Sequence, residues 1–96
     1  MDSELLEFRT GSDPQTVDIT AEVARFVHDK GDGIVQVFCP HATAGIALIE
    51  TGAGSDADLL DIIDHVLPAE FNYRHRHGSP GHGADHVLPA FIAPAI

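Results

Sequence analysis

Ninety-six residues with a formal net charge of −10, 44% hydrophobic side chains, one Cys and no Trp describe one small domain whose core must be built from aliphatic side chains. That balance argues against a nucleic-acid partner, because phosphate neutralisation needs clustered Lys and Arg, and a single Cys excludes an intrachain disulfide framework. No apolar run approaches the roughly 20 residues of a membrane span, and the acidic N-terminus lacks the basic-then-apolar order of a signal peptide, so the expectation is a cytoplasmic protein with no membrane partner.

Leu5 to Thr10 alternates partly between apolar and polar residues and predicts a strand, and Gly11-Ser12-Asp13-Pro14 is turn chemistry. Gln15 to Ile19 predicts a short second strand. Thr20 is a candidate N-cap with Glu22 in the first turn, and Val23, Phe26 and Val27 follow at i, i+3, i+4, so residues 21–30 predict an amphipathic helix stopped by Gly31-Asp32-Gly33. Ile34 to Cys39 is rich in β-branched and aromatic residues and predicts a strand buried on both faces. Ala44 to Ile49 predicts another, with residues 40–43 joining the two. Ser55 followed by Asp58 has the form of an acidic capping box. Beyond it Leu59, Ile62, Ile63 and Val66 line one face of a second helix, expected to be largely buried and ended before Pro68. His65 in its last turn reads as helix surface. From Asn72 to His86 the chain turns rich in Gly, His and Pro with no hydrophobic period, and an apolar run resumes at Val87 to Ile92.

The residues that could carry chemistry are mostly histidines. His75, His77, His82 and His86 fall within a dozen positions, and His is both the usual acid/base near neutral pH and the commonest metal ligand. If residues 72–77 are extended, His75 and His77 share one face and Arg74 and Arg76 the other. His82 and His86 have the i, i+4 spacing that chelates a metal on a helix, although Gly81 and Gly83 argue against a helix there. The bland alternative is a solvated His-rich loop. His41 follows an apolar run and Pro40, which restrains its backbone, and it reads either as a site residue or as a histidine satisfied at a strand end. Thr43 either orients His41 or belongs to an ordinary turn. Glu50 either ligates a cation, orients a His or faces water. Asp58 reads first as a capping group, and Cys39 as a small core residue.

His41-Ala42-Thr43-Ala44, the downstream Glu50, the acidic helix start through Asp58-Leu59, Pro68, Tyr73-Arg74-His75 and Ala84-Asp85-His86 together closely resemble the YjbQ family (UPF0047). The match runs over essentially the whole chain as a single domain, residues 1–96. The resemblance implies an α+β fold, a distorted mixed β-sandwich with flanking helices, usually assembled as a homotrimer. It also implies a weak secondary thiamine-phosphate synthase activity, a transferase reaction. The family's recurrent polar positions match His41, Thr43, Glu50, Asp58, His75 and His86 here and are thought to line a pocket for a metal or an anion. Ala42 stands where the family has a second Thr, and the His82-Gly83 region replaces an Asn common before the last histidine. The further strands with Gly-Thr-Trp-Gln and an Arg-rich end that family members carry are absent, so by this resemblance the domain is incomplete at its C-terminus.

The combined expectation is a pocket with His41, Thr43 and Glu50 as catalytic groups. Arg74, Arg76 and Asp58 would serve a phosphorylated small-molecule ligand, and His75, His82 and His86 a divalent metal, zinc or magnesium. The reaction is a condensation that releases diphosphate, which needs charge neutralisation of the leaving group by a metal or Arg. The alternatives are a metal- or anion-binding module without turnover and an inactive truncated remnant.

Overall fold

The computed structural model describes residues 1–75, 78 and 82–96. Arg76 and His77, both singled out from the sequence, lie outside the described residues. Within them the helices are α1, Thr20–Val27; α2, Ser55–Val66; and α3, His82–Val87, followed directly by a 3-10 turn over Leu88–Ala90. The chain divides into two compact units, Met1–Val35 and Gln36–Ile96.

The expected mixed β-sandwich is not found. Among the described residues there is no strand or sheet, only one isolated antiparallel bridge between Phe38 and Ala95. Val37 and Ile96 exchange two backbone hydrogen bonds of 2.8 and 2.9 Å. The amide of Cys39 donates to Pro94 O and that of Ile46 to Ala93 O, both at 2.8 Å. The physical reason is that β-branching and alternation report only that a segment suits a pleated surface. A strand exists where a neighbour's N–H and C=O groups line up with it. Among the described residues, the backbone of Ile34 to Cys39 pairs across the fold with the short run 93–96. Leu5 to Thr10 and Gln15 to Ile19 make no ladder among the described residues. The double-sided burial expected for residues 34–39 fails with the sheet: Phe38 is 61% exposed, and Leu48 in the next apolar run 85%.

In the first unit, α1 presents the expected face. Val23, Phe26 and Val27 are half-buried and the residues between them exposed. The helix ends at Val27 rather than residue 30. Lys30 instead sets its ammonium over the Phe26 ring, 4.8 Å from the centroid, and pairs with Asp2 at 2.9 Å. Thr20 is not the cap but the first helical residue. The N-cap position is Ile19, without a side-chain cap bond, and the Asp18 carboxylate just before it accepts from the Thr20 hydroxyl at 2.6 Å and the Thr20 amide at 3.0 Å. The hydroxyl bond first, and the amide bond second, hold the Asp18 carboxyl below its ordinary value. A depressed carboxyl stabilises the fold above the unfolded-state pKa, about 3.9 for Asp, and that contribution is lost as pH falls through the lower folded value. A carbon-detected NMR titration is expected to place Asp18 below the ordinary aspartate value, and Thr20→Val to move it back up. An unmoved midpoint in Thr20→Val would remove the hydroxyl as the cause.

In the second unit, the N-cap of α2 is Gly54, with a φ of 100° and no side-chain cap, so Ser55 and Asp58 do not form the expected box. The Asp58 amide donates to Gly54 O at 3.0 Å, leaving its exposed carboxylate to interact with the helix dipole alone. Leu59, Leu60 and Ile63 are half-buried, while Ile62 and Val66 are exposed. The helix is thus less buried than its periodicity predicts, because no other helix packs on it among the described residues. Its apolar stripe continues past its end into Leu67, and Leu67 and Ala84 of α3 are the buried hydrophobic side chains among the described residues.

Candidate metal centre

Just beyond α2 the chain turns back on itself. The Phe71 amide donates to Pro68 O and the Tyr73 amide to Phe71 O. The Tyr73 hydroxyl donates to Pro68 O at 2.8 Å, and Phe71 and Tyr73 pack edge to face with centroids 5.0 Å apart. This aromatic corner is the surface on which α3 sits. Gly83 is buried against it: a Cβ at position 83 would lie 2.5 Å from Tyr73 Cβ and 2.7 Å from its Cγ. The glycine that argued against a helix is therefore the residue that lets a helix approach the aromatic ring. Its contact partner is ten positions upstream, where no local pattern could reveal it.

With α3 formed, His82 and His86 stand one turn apart on one side of it. His75, two residues beyond Tyr73, completes a trio. The rings of His75 and His86 stack with centroids at 4.5 Å and an interplanar angle of 22°, those of His82 and His86 lie 4.0 Å apart, and those of His75 and His82 5.1 Å apart. One nitrogen from each ring can be chosen so that all three lie within 4.8 Å of one another. His75 and His82 are half-buried and His86 is exposed, while Nε2 of His75 is shielded from solvent. His86 is oriented by its own helix: Nδ1 lies 3.0 Å from the backbone carbonyl of His82. A carbonyl can only accept, so Nδ1 carries the hydrogen, and in the neutral ring Nε2 keeps its lone pair. A carbonyl that accepts from the far ring nitrogen in this way fixes the orientation and tautomer of a ligating imidazole. Gly78, at a φ of 87°, lies close over the His82 ring, where a Cβ would come within 2.8 Å of the ring carbons. A cleft of about 740 Å³ opens beside the trio, lined among others by Arg74, His75, His86 and Tyr73.

The donor set discriminates between the two metals expected. Three imidazoles suit Zn²⁺, which binds ring nitrogens at about 2.0–2.1 Å, whereas Mg²⁺ demands oxygen ligands in an octahedron. Tetrahedral zinc ligation brings nitrogens to roughly 3.3 Å of one another, so a separation of 4.8 Å must close by about 1.5 Å, shared between the rings. The residues fit zinc and do not fit magnesium.

The remaining described sequence candidates divide. Arg74 is exposed and lines the cleft. His41, Thr43, Glu50 and Asp58 are not among the residues lining it. His41 is exposed and bonded to Thr43, whose amide lies 3.1 Å and hydroxyl 2.7 Å from His41 Nδ1. Glu50 and His65 are exposed, and Cys39 is a half-buried free thiol.

The family model described as UPF0047 protein YjbQ-like matches residues 4–96. The chain belongs to the YjbQ family. Among its YjbQ-family relatives, UPF0047 protein Rv2556c of Mycobacterium tuberculosis is 53% identical over 96 residues, all of this chain and 71% of that protein. UPF0047 protein Mb2586c of Mycobacterium bovis is 59% identical over 80 residues, 83% of this chain and 62% of that protein. UPF0047 protein YugU of Bacillus subtilis is 37% identical over 79 residues, 77% of this chain and 59% of that protein. The chain thus spans between 59% and 71% of the length of these YjbQ-family proteins. No solved structure matches the chain. Among the described residues no helix is long and apolar enough to cross a membrane.

Proposed function

We propose that this YjbQ-family chain carries a zinc centre at His75, His82 and His86 that serves a phosphorylated small molecule in the adjoining cleft. The observation that carries it is the convergence of three imidazoles with ligand nitrogens within 4.8 Å of one another. The chain's own residues divide the work. His86 is aimed by the His82 carbonyl, His75 follows by two residues the turn that the Tyr73–Pro68 bond closes, and His82 is backed by Gly78. Arg74 brings a permanent positive charge to the cleft of a strongly acidic chain, where an anion would otherwise be repelled. A zinc ion held there supplies Lewis acidity toward a phosphoryl oxygen.

The reaction class that the family resemblance adds is thiamine-phosphate synthesis. The methylene C–O bond of a pyrimidine diphosphate breaks, a C–N bond to a thiazole phosphate forms, and diphosphate leaves. Such a step asks the protein chiefly for neutralisation of the departing charge, a role this reading gives to Arg74, which lines the cleft.

Isothermal titration of the metal-free chain with zinc, and separately with magnesium, tests the centre, and a coupled diphosphate-release assay with both substrates tests the reaction. The expected result is one zinc per chain, no measurable magnesium, and release that falls in Arg74→Ala. Zinc binding without release would leave a metal- and anion-binding module, and absence of zinc binding would overturn the centre itself.

A further inference from the structure

Phe71 is 63% exposed, yet its backbone is pinned from both sides. Its amide donates to Pro68 O at 3.2 Å, and its carbonyl accepts from the Tyr73 amide at 2.9 Å. Tyr73 in turn is anchored by its hydroxyl on Pro68 O and by Gly83 packed close against it. The two aromatic rings meet edge to face, at an interplanar angle of 69°. In such a pair one ring uses an edge and the other a single face. Whichever way round the pair is made, at least one face of Phe71 is left clear of Tyr73. The Phe71 side chain lines the cleft that Arg74, His75 and His86 share. A planar apolar surface and a permanent cation therefore border one space of about 740 Å³.

These two groups select in independent ways. A guanidinium takes a phosphate whatever the phosphate is attached to. An aromatic face discriminates among the attached groups: a planar ring stacks on it with an offset, whereas a saturated ring of equal size gains burial alone. A ring fixed by backbone bonds and braced by its neighbour gives up little freedom when a ligand arrives. We propose that Phe71 is the specificity-determining residue of the cleft, stacking its open face on a planar aromatic ring of the ligand whose phosphate Arg74 receives. The inference rests on the reading of the cleft as a site for a phosphorylated small molecule. It adds a preference for aromatic over aliphatic phosphates and names the residue that sets it.

Phenyl phosphate and cyclohexyl phosphate separate the two contributions, since they match in charge and nearly in size and differ in planarity. Titration calorimetry of the zinc-loaded chain at pH about 8, above the second phosphate pKa of about 6, is expected to show phenyl phosphate bound roughly three- to ten-fold more tightly. Phe71→Leu keeps an apolar side chain and should bring the two affinities together, while Phe71→Trp should keep them apart. Arg74→Ala should weaken both ligands alike and leave their ratio as in the wild type. In the wild-type proton NMR spectrum, the ring current of phenyl phosphate should shift the Phe71 ring protons upfield, and cyclohexyl phosphate should not. Equal affinities in the wild type, a ratio that survives Phe71→Leu, or Phe71 protons that ignore phenyl phosphate each overturn the role of Phe71 while the cleft reading stands. Absence of binding by either phosphate overturns the cleft reading and the role of Phe71 with it. The wild-type affinities and spectrum decide the outcome if the leucine variant does not fold.

Discussion

Replacing His86 by alanine is expected to weaken zinc binding by roughly 100-fold or more, beyond the ~10–100-fold typical of losing an outer-shell partner of a ligand. The reason is the small number of donors. With three imidazoles converging, removal of one leaves a two-nitrogen site that has lost both a bond and its stacked neighbour, since the His86 ring lies parallel to His75 at 4.5 Å. His86 is also exposed, so its loss opens no cavity, and the melting curve of the metal-free chain should change little. Titration calorimetry reads the affinity and circular dichroism the stability. His65→Ala is the control: that ring is exposed on the last turn of α2, apart from the trio, and its removal should leave zinc affinity unaltered. Equal zinc affinity in wild type and His86→Ala would remove His86 from the centre.

Gly83→Ala is expected to destabilise the fold by about 1 kcal/mol or more, although alanine is the better helix former. Two effects oppose each other. In a helix interior the exchange gains about 0.8–1.0 kcal/mol of propensity. Overpacking costs typically ~1–3 kcal/mol, and here the new methyl would sit 2.5 Å from Tyr73 Cβ. That carbon is fixed to the backbone and cannot swing aside, so α3 must move off the aromatic corner. The clash wins, and the melting temperature should fall by roughly 4–8 °C for each kcal/mol in a domain of this size. Because α3 carries two of the three histidines, zinc affinity should fall with it. Gly33→Ala is the contrast, since no atom lies within 4 Å of its added carbon and its φ is not in the left-handed region, so it should be neutral or slightly stabilising. A Gly83→Ala protein that melts higher than wild type would show that α3 is not pressed against Tyr73.

These two positions also show what the sequence could and could not convey. The i, i+4 pair His82 and His86 was legible as spacing, and the family was legible from the combined motifs. The helix that makes the spacing useful was obscured by Gly83, because glycine's local penalty is visible in sequence while its contact with Tyr73 is not. The apolar face of α1 was legible because a 3.6-residue period is local. The cap was misplaced by one residue, at Thr20 rather than Ile19, since Thr20 is a capping type and Ile19 is not, and no side chain caps the helix. The sheet was the largest error. Ile34 to Cys39 has every local mark of a strand, but pairing is a property of two segments, and the backbone it meets is the short run 93–96. The His41–Thr43 contact was legible as one of the alternatives for Thr43, because an i, i+2 spacing is local. An i, i+2 pair of polar side chains serves each other as readily as a distant site.

The Phe38–Ala95 bridge turns more than half of the chain into a single closed loop. The entropy of such a loop grows only with the logarithm of its length, about 0.6 kcal/mol for each doubling. Tolerance to inserted residues is therefore uneven around the ring. A surface stretch such as Gly52–Gly54, exposed throughout, can be lengthened by several residues at a cost of tenths of a kcal/mol. The knot at residues 93–96, where the bonds to Val37, Cys39 and Ile46 converge, has no such latitude, and a one-residue slip there would put every one of those pairings out of register.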